Sequence, residues 1–384
     1  MALKFICVIS TESILIGPLA TLAIRHQLLN CNIVTCDTYR DAVVVFGTVP
    51  QRLSNLQYQQ SITEMHIIAL ACAVALLIVF TFIWKRHHIT SASVPVSVNY
   101  HFTRRCNYEC GFCFHTAKTS YILPLEDAKK GLLLLKQAGM RKLNFAGGEP
   151  FLYPKFIGEL AKYCKDDLHI ESVSIVTNGS LVKPNFFNSY GQYIDIMAIS
   201  CDSFNEATNV KIGRGTGKHL PHLQTLSELC RAHGVKFKIN TVVNRYNIDE
   251  NMNESIHQLT PFRWKCFQVL VVAGENDSDA TLRNANRFII TDEEFRRFCE
   301  VHSHNECFVA EPNSLMRDSY LILDEYMRFL DKGNGNESSP SILEVGVNAA
   351  LRWVFWDQKG FVERGGLYDW TREKGTEEKT SLDW

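Results

Sequence analysis

The sequence predicts an α/β fold built on a parallel sheet, and three observations support this prediction. Six β-rich runs lie between residues 97 and 272, helical patterns separate them, and glycines follow two of the helical patterns. Strands and helices that alternate at this spacing imply parallel strands joined by crossover helices, in an open doubly wound sheet or in a full or partial barrel. Active residues are expected at the carboxyl ends of the strands.

The predicted strands are SVNYHFT (97–103), KLNFAGG (142–148), SVSIVTNG (172–179), IDIMAISCDS (194–203), KFKINTVVN (236–244) and RWKCFQVLVV (263–272). Between the first two strands, Gly139 ends a pattern of apolar residues at helical spacing, which are Leu125, Ala128, Leu132 and Leu135. A second helical pattern, HLPHLQTLSELCRAHG, ends in the same way at Gly234. These two segments are therefore predicted to be helices that end at glycine.

The composition is that of a globular protein without a strong charge bias. The chain has 384 residues, 46% of them hydrophobic, and its net charge is −1. With that balance we expect no direct nucleic-acid partner, and any anion site must be local. Thirteen cysteines, an odd number and mostly scattered, favour a reducing compartment over a disulfide framework.

One segment has the length and composition of a membrane anchor. Residues 67–84, IIALACAVALLIVFTFIW, are eighteen residues without a charge, and as a helix they would span about 27 Å. Apolar residues on every face favour a membrane span over an interfacial helix, with a buried core helix as the alternative. Lys85 and Arg86 predict that the downstream domain faces the cytosol. Met65 directly precedes this segment and suggests a natural start there, which leaves residues 1–64 uncertain.

Three cysteines follow the first predicted strand at short spacing, in CNYECGFC. Cys106, Cys110 and Cys113 could belong to a structural zinc site with His115, although the one-residue gap before His115 strains a tetrahedron. They could also be unrelated buried thiols. Iron–sulfur clusters are ordinarily held by four cysteines, so three would leave one iron open for chemistry.

The second strand ends in NFAGGEP, where glycines allow close backbone approach and Glu149 offers a carboxylate.

Cations on two predicted strands suggest an anion site. The sequence contains no P-loop and no GxGxxG motif, so phosphates would have to be held by side chains. Lys238 and Asn240 share one face of the fifth strand, and Arg263 and Lys265 share one face of the sixth. The alternative is that these cations are solvated charges on an outer face.

The cysteine spacing and the GGEP turn together resemble the radical S-adenosylmethionine (SAM) superfamily. Residues 97–384 further resemble the viperin family of antiviral enzymes, on SVNYHFTRRCNYECGFCFHTAKTS, ISCDSF, IGRG, KIN, RWK, DSYLILDEYMRFL and LDW. The resemblance implies a partial (β/α)6 TIM-type barrel and a [4Fe-4S] cluster whose open iron binds SAM. It also implies conversion of CTP to 3′-deoxy-3′,4′-didehydro-CTP, a terminator of viral RNA synthesis.

The resemblance also assigns roles to individual residues. Tyr320 is expected to deliver hydrogen or an electron late in the reaction, and the cluster ligands are Cys106, Cys110 and Cys113. The SAM-binding residues are expected to be Phe112, Gly147, Gly148, Glu149, Asn178, Ser200 and Arg214. The triphosphate site is expected to comprise Asn99, Lys238, Asn240, Arg263 and Lys265. The family has serine where this chain has Ala146, so we expect altered cofactor affinity rather than lost activity.

The family implies attachment to the cytosolic face of the endoplasmic reticulum and to lipid droplets. A true span cannot sit in a monolayer, so the segment 67–84 favours the endoplasmic reticulum. The tail SLDW is expected to bind the cytosolic iron–sulfur assembly machinery through Trp384. We therefore divide the chain into an uncertain segment, a membrane anchor, a linker, the barrel and an extension that completes the active site: 1–64, 65–84, 85–96, 97–310 and 311–384.

Two other functions remain open at this stage. The protein could be a membrane-tethered scaffold with a structural cluster, or a radical enzyme that acts on UTP or another nucleotide, because cations that hold a triphosphate do not recognise the base. The sequence does not identify the electron donor.

Overall fold

The computed structural model describes residues 94–330 and 338–372, together with the short pieces 8–10, 41–43 and 69–70. The chain divides into two compact units, 1–90 and 91–384, and in the first of them Val8–Ser10 pairs antiparallel with Asp41–Val43. The predicted membrane segment lies outside the described residues except for 69–70, and so does Trp384. Within the part of the chain described, no helix is both long and apolar enough to cross a bilayer.

The second unit is built on a sheet of eight parallel strands. In chain order the strands are β1 (Ser97–His101), β2 (Lys142–Ala146), β3 (Ser172–Thr177), β4 (Ile196–Ser200), β5 (Lys236–Val243), β6 (Arg263–Gln268), β7 (Phe308–Glu311) and β8 (Ile322–Leu323). Their order across the sheet is β8-β1-β2-β3-β4-β5-β6-β7, and every neighbouring pair is parallel. A doubly wound sheet would reverse its strand order at a switch point. The unbroken order β1 to β6 is instead that of a half-barrel.

The six predicted strands are confirmed, but the predicted six-stranded barrel is two strands too small. β7 and β8 add one strand to each edge. Both are short, four and two residues, and most of β7 is only half-buried. Strands of that length carry no readable alternation, because period-two patterns need at least four to eight residues.

Two of the helices were predicted from the sequence, and the structure adds others. In chain order the helices are α1 (Leu125–Gln137), α2 (Pro154–Asp166), α3 (Pro184–Tyr190), α4 (Glu206–Ile212), α5 (His219–Ala232), α6 (Asn253–Leu259), α7 (Asp292–His302), α8 (Asn313–Met316), α9 (Ile342–Val345), α10 (Val347–Leu351) and α11 (Gln358–Glu363), of which α1 and α5 are the predicted ones. Short 3₁₀ helices lie at Pro150–Leu152, Gly191–Tyr193 and Ala285–Phe288. The predicted glycine stops after α1 and α5 are confirmed: Gly139 and Gly234 have φ of 102° and 62°, which glycine adopts without strain.

The two faces of the strands have different chemistry. On β1, Val98 and Tyr100 are fully buried in the hydrophobic core together with Leu132 and Leu135 of α1. The alternate residues Ser97, Asn99 and His101 line an internal cavity. Strands of parallel sheets usually carry continuous apolar runs because both faces are buried in apolar surroundings. Here the inner face is polar because it surrounds a site rather than a core.

The C-terminal extension covers the amino-terminal ends of β3, β4 and β5. Trp370 forms a small apolar cluster with Ile196 and Phe361. Its carbonyl oxygen accepts a hydrogen bond of 2.8 Å from the hydroxyl of Ser172, and Asp369 pairs with Lys236 at 3.1 Å. Ser172, Ile196 and Lys236 are the first residues of their strands, so the extension closes this end of the half-barrel.

Adjacent leucines of α1 test how much the core contributes to stability. Leu132 is fully buried, whereas the side chain of Leu133 is 39% exposed. Leu132→Ala should lower the free energy of unfolding by about 2 to 5 kcal/mol, because the cavity that it leaves cannot fully collapse. Leu133→Ala, the matched control, should change it by about 0.5 kcal/mol or less. Equal effects of the two substitutions in urea unfolding would show that α1 does not pack on the sheet as described.

Candidate active site

The inner faces of the strands surround one cavity of about 330 Å³. Its carboxyl end is the loop that carries the cysteines, and its amino end is closed by the C-terminal extension. Fourteen of the sixteen residues predicted for the site line this cavity; Glu149 and Arg263 do not. The cavity therefore brings together the predicted cluster ligands, cofactor contacts and nucleotide contacts.

The three cysteines stand at the carboxyl end as free thiols that line the cavity. Their loop is fixed by backbone hydrogen bonds to the end of α4, from Glu109 to Gly213 at 3.1 Å and from Gly111 to Ile212 at 2.9 Å. Gly213 has a φ of 90°, and a side chain there would meet the carbonyl oxygen of Glu109. Glycine is thus required where the loop and the helix end meet.

The donor set fits an iron–sulfur cluster better than a zinc ion. Among the described residues, no three His, Cys, Asp or Glu side chains converge on a single ion position. A cubane does not require such convergence, because each thiolate binds its own iron. Both ring nitrogens of His115 are buried without a partner, and its ring packs edge-on against that of His101 at 4.5 Å. Cys106, Cys110 and Cys113 are the residues that would hold the cluster.

Burial keeps the thiols protonated in the absence of metal. It raises the pKa of Cys110 to about 12, while the nearby Arg214 guanidinium opposes this rise. Burial also raises the pKa values of Cys106 and Cys113. Binding of an iron–sulfur cluster therefore has to release protons from these sulfurs, so the affinity of the site for the cluster should depend on pH.

The Gly-Gly-Glu turn supports the cysteine loop. A side chain at Gly147 would meet the carbonyl oxygen of Thr103, and one at Gly148 would meet that of Arg105. The turn donates hydrogen bonds of 2.7 Å to these same two carbonyls. The close backbone approach is confirmed, and its partner is the segment between the end of β1 and the first cysteine.

Glu149 is placed beneath the cavity rather than on its wall. Its carboxylate is fully buried and accepts hydrogen bonds from the amide of Phe151 at 2.9 Å, the hydroxyl of Thr177 at 2.6 Å and the amide of Asn178 at 2.8 Å. Burial raises its pKa, and these hydrogen bonds oppose the rise. The carboxylate therefore fixes the turn against the end of β3, and its expected contact with SAM remains a prediction.

The other expected cofactor contacts surround the thiols. Arg214 is buried, pairs closely with Asp202, and lies 6.0 Å from the ring of Phe112. The amide of Asn178 donates to Asn107 at 2.9 Å. Asp202 is a site residue that the sequence analysis missed, although it lies within the quoted ISCDSF motif.

The amino end of the cavity is strongly cationic. Lys238 and Lys265 line it as predicted, and Lys142 joins them. Burial lowers the pKa values of Lys142 and Lys238 well below the ordinary value for lysine, and the other cations lower them further. The side-chain ammonium of Lys238 has no hydrogen bond or ion pair to any residue that the structure describes. Buried cations without counter-ions are costly, so this end is suited to bind an anion.

Arg263 departs from the expected position. Its guanidinium lies 4.2 Å from the ring of Tyr368 and donates to the carbonyl of Gly365 at 3.3 Å. It therefore lies behind the cavity wall, where Tyr368 separates it from the interior. Its proposed contact with triphosphate stays a prediction that needs Tyr368 to move.

A network that the sequence analysis missed joins four residues at the cationic end. Glu311, which is 1% exposed, pairs with Lys265 and with Arg364, the latter at 3.0 Å. The hydroxyl of Tyr320 donates to Glu311 at 3.1 Å and accepts from Lys265 at 2.9 Å. The cavity thus ends in two cations and a phenol that share one carboxylate.

Comparisons with known proteins identify the family of this chain. The family model described as the Radical SAM superfamily matches residues 100–259. The S-adenosylmethionine-dependent nucleotide dehydratase RSAD2 of Oncorhynchus mykiss is 54% identical over 287 residues, which are 73% of this chain and 82% of the relative. The protein of the same name from Danio rerio is 55% identical over 285 residues, 73% of this chain and 79% of the relative.

More distant proteins share the architecture. The S-adenosylmethionine-dependent nucleotide dehydratase of Flammeovirga pacifica is 36% identical over 73% of this chain and 98% of its own length. The crystal structure of Streptococcus suis SuiB bound to S-adenosylmethionine superposes with a TM-score of 0.56 at 18% identity, covering 79% of this chain and 78% of SuiB. That identity supports the fold alone. The predicted family is confirmed, and with it the predicted cofactors, a [4Fe-4S] cluster and SAM. The chain belongs to the viperin family of radical SAM nucleotide dehydratases.

Proposed function

We propose that this enzyme removes water from CTP and forms 3′-deoxy-3′,4′-didehydro-CTP, by radical chemistry that begins with SAM. The observation that carries the proposal is a single cavity with three thiols at one end and a cationic pocket at the other. A nucleotide whose triphosphate lies at the cationic end presents its ribose toward the thiols. The printed names of the relatives, nucleotide dehydratases, support the same reaction class.

The residues of the chain would divide the work between binding and exclusion of water. Cys106, Cys110 and Cys113 would hold the cluster, which when bound would supply the electron for reductive cleavage of SAM to methionine and a 5′-deoxyadenosyl radical. Arg214 and Ser200 line the thiol end, where they can orient the cofactor. Lys142, Lys238 and Lys265 fix the triphosphate by charge-assisted hydrogen bonds, and this places the ribose for hydrogen abstraction.

Selection of CTP over other nucleotides is part of the proposal. The lysines contact phosphates and cannot distinguish bases, so the choice of cytosine rests on the family resemblance. The product lacks the 3′-hydroxyl that RNA chain growth requires. An antiviral role in chain termination follows from that chemistry.

Two further proposals concern regions outside the described residues. Residues 67–84 anchor the protein in the endoplasmic reticulum membrane, rather than on lipid droplets, with the catalytic domain in the cytosol; their uncharged length supports this. The terminal Trp384 binds the cytosolic iron–sulfur assembly machinery, which would load the cluster. An apolar aromatic residue at a chain end is a suitable handle for such a partner.

Anaerobically reconstituted protein should be incubated with SAM, dithionite and each of CTP, UTP, ATP and GTP. We expect CTP to increase 5′-deoxyadenosine formation at least about tenfold more than the other nucleotides and to yield a product that has lost water, by mass spectrometry. Cys110→Ala should abolish both signals, while Cys307→Ala, a partly exposed thiol outside the cavity, should preserve them. A comparable response to UTP would contradict the assignment of the base.

The same substitution separates the enzyme from a scaffold. If the antiviral effect in cells survives Cys110→Ala although 5′-deoxyadenosine formation is lost, the effect does not come from the reaction and the scaffold is favoured.

Deletion of residues 67–84 should release the protein from microsomal membranes into the soluble fraction. The intact chain should resist extraction by alkaline carbonate, because a span is held by its apolar length and not by charge. If alkaline carbonate extracts the intact chain from the membranes, the proposal of a membrane span is wrong.

Deletion of Trp384 should reduce iron content in protein isolated from cells, with the melting temperature of the apoprotein unchanged. Chemical reconstitution in vitro should restore the cluster of the truncated protein, because the deletion removes a delivery contact and not a ligand. Normal iron content in cells would refute the role of this residue.

A further inference from the structure

Glu311 is the carboxylate that pairs with Lys265 and Arg364 at the cationic end of the cavity. No aspartate or glutamate is among the cavity-lining residues in the described part of the chain. Glu311 lies behind the wall, yet its three side-chain partners, Lys265, Tyr320 and Arg364, all line the cavity. It is therefore in a position to act on the site through them.

Each partner comes from a different part of the fold. Glu311 ends β7 and pairs in register with Phe267 of β6, so its side chain is on the same inner face as that of Lys265. Tyr320 precedes β8 at the opposite edge of the sheet, and Arg364 follows α11. One carboxylate thus joins both sheet edges and the segment that follows α11.

We propose that Glu311 is a positioning residue of the nucleotide site, whose carboxylate holds Lys265, Arg364 and Tyr320 at the places where they meet the triphosphate and ribose. The proposal rests on the proposed function. Glu311 does not touch the substrate, because it lies behind its partners.

The hydrogen-bond directions at Tyr320 support this assignment. Its hydroxyl oxygen accepts from Lys265 at 2.9 Å and from Arg364 at 3.3 Å, and its hydrogen is donated to Glu311 at 3.1 Å. Without the carboxylate, the phenol would have two donors and no acceptor in this network. Its orientation would then no longer be defined.

A purely structural ion pair explains the geometry less well. Buried ion pairs often contribute little net stability, because desolvation offsets their attraction. The structural role would also be served by an apolar residue packed against β6. Instead, a single acidic group is placed among cations that converge on the cavity.

The charges around Lys265 give the proposal a measurable consequence. It faces Glu311 on β7, Arg364 after α11, Lys238 on β5, Lys142 on β2 and Arg263 on its own strand, with the phenols of Tyr320 and Tyr368 nearby. Burial lowers the pKa of Lys265 to about 8, and Glu311 opposes this fall. Lys265 is thus charged below about pH 8 and loses its charge above it. Loss of the carboxylate should move this transition to lower pH.

Titration calorimetry on the full-length, cluster-free protein tests the proposal independently of catalysis. The probes are CTP and inorganic tripolyphosphate, at pH 6.5 and pH 8. We expect Glu311→Gln to bind both probes at least as tightly as wild type at pH 6.5, because one negative charge is gone. At pH 8 its Kd should rise roughly fivefold relative to that of wild type, because Lys265 is then mostly neutral. The ionisation of the phosphates changes the Kd of the variant and that of wild type equally, so it cancels in the ratio of the two Kd values.

Three variants complete the design. Glu306→Gln removes the same charge from an exposed position shortly before β7 and should leave the ratio of Kd values unchanged. In the double variant K265R/E311Q, a guanidinium that stays charged should remove the weakening at pH 8 that Glu311→Gln alone causes. The melting temperature of Glu311→Gln will show whether this variant folds. If it does not fold, Glu311→Asp replaces it: this variant keeps the negative charge and should keep the wild-type pH dependence of binding.

The positioning role would be overturned if the ratio of the Kd of Glu311→Gln to that of wild type were the same at pH 6.5 and pH 8. It would also be overturned if Glu306→Gln changed this ratio as much as Glu311→Gln does. So would failure of wild type to bind tripolyphosphate. If tripolyphosphate shows the expected pattern while no nucleotide stimulates 5′-deoxyadenosine formation, the positioning role stands and the proposed reaction fails.

Discussion

Buried positive charge is the constraint on which the rest of this site depends. The alternation of side chains along β2, β5 and β6 places Lys142, Lys238 and Lys265 inside the half-barrel, where each loses hydration that water would supply. Glu311 compensates part of that charge, and Lys238 has no ion pair in the described chain. The fold therefore retains an unfavourable charge distribution that a polyphosphate would relieve. Under the proposed function, these lysines would hold the triphosphate without a glycine-rich phosphate loop.

The thiol end follows a different principle, because backbone geometry determines it. Gly147 and Gly148 allow the turn after β2 to reach the carbonyls of Thr103 and Arg105, and Gly213 allows α4 to end against the cysteine loop. Backbone hydrogen bonds of this kind leave little freedom to the loop that carries the sulfurs. The thiol end is thus held by backbone contacts, while the cationic end is formed by long, charged side chains.

The elements that were predicted from the sequence are those with a periodic pattern of apolar residues or a recognisable motif. The elements that were missed have neither. Six strands, α1, α5 and the cysteine cluster follow from periodicity, glycine stops and spacing. Glu311 and Arg364 were missed because β7 is too short to show a pattern and the segment around Arg364 has none. Lys142 could have been found, since it shares the inner face of β2 with Asn144 and Ala146. Arg263 had the right period, but Tyr368, far along the chain, covers it.

The fold that surrounds the cavity does not by itself determine which substrate binds there. SuiB superposes on this chain at a TM-score of 0.56 with 18% identity, so the half-barrel alone does not determine a substrate. The cationic end of this cavity is formed by the inner-face lysines and by three residues of the C-terminal extension, Tyr320, Arg364 and Tyr368. The extension both closes the amino end of the barrel and contributes to the anion pocket. Of the extension, Glu325 pairs with Arg104 just before the cysteines at 3.0 Å, whereas Tyr320, Arg364 and Tyr368 lie at the cationic end. Changes at these last three residues should therefore affect the cationic end more than the thiol end.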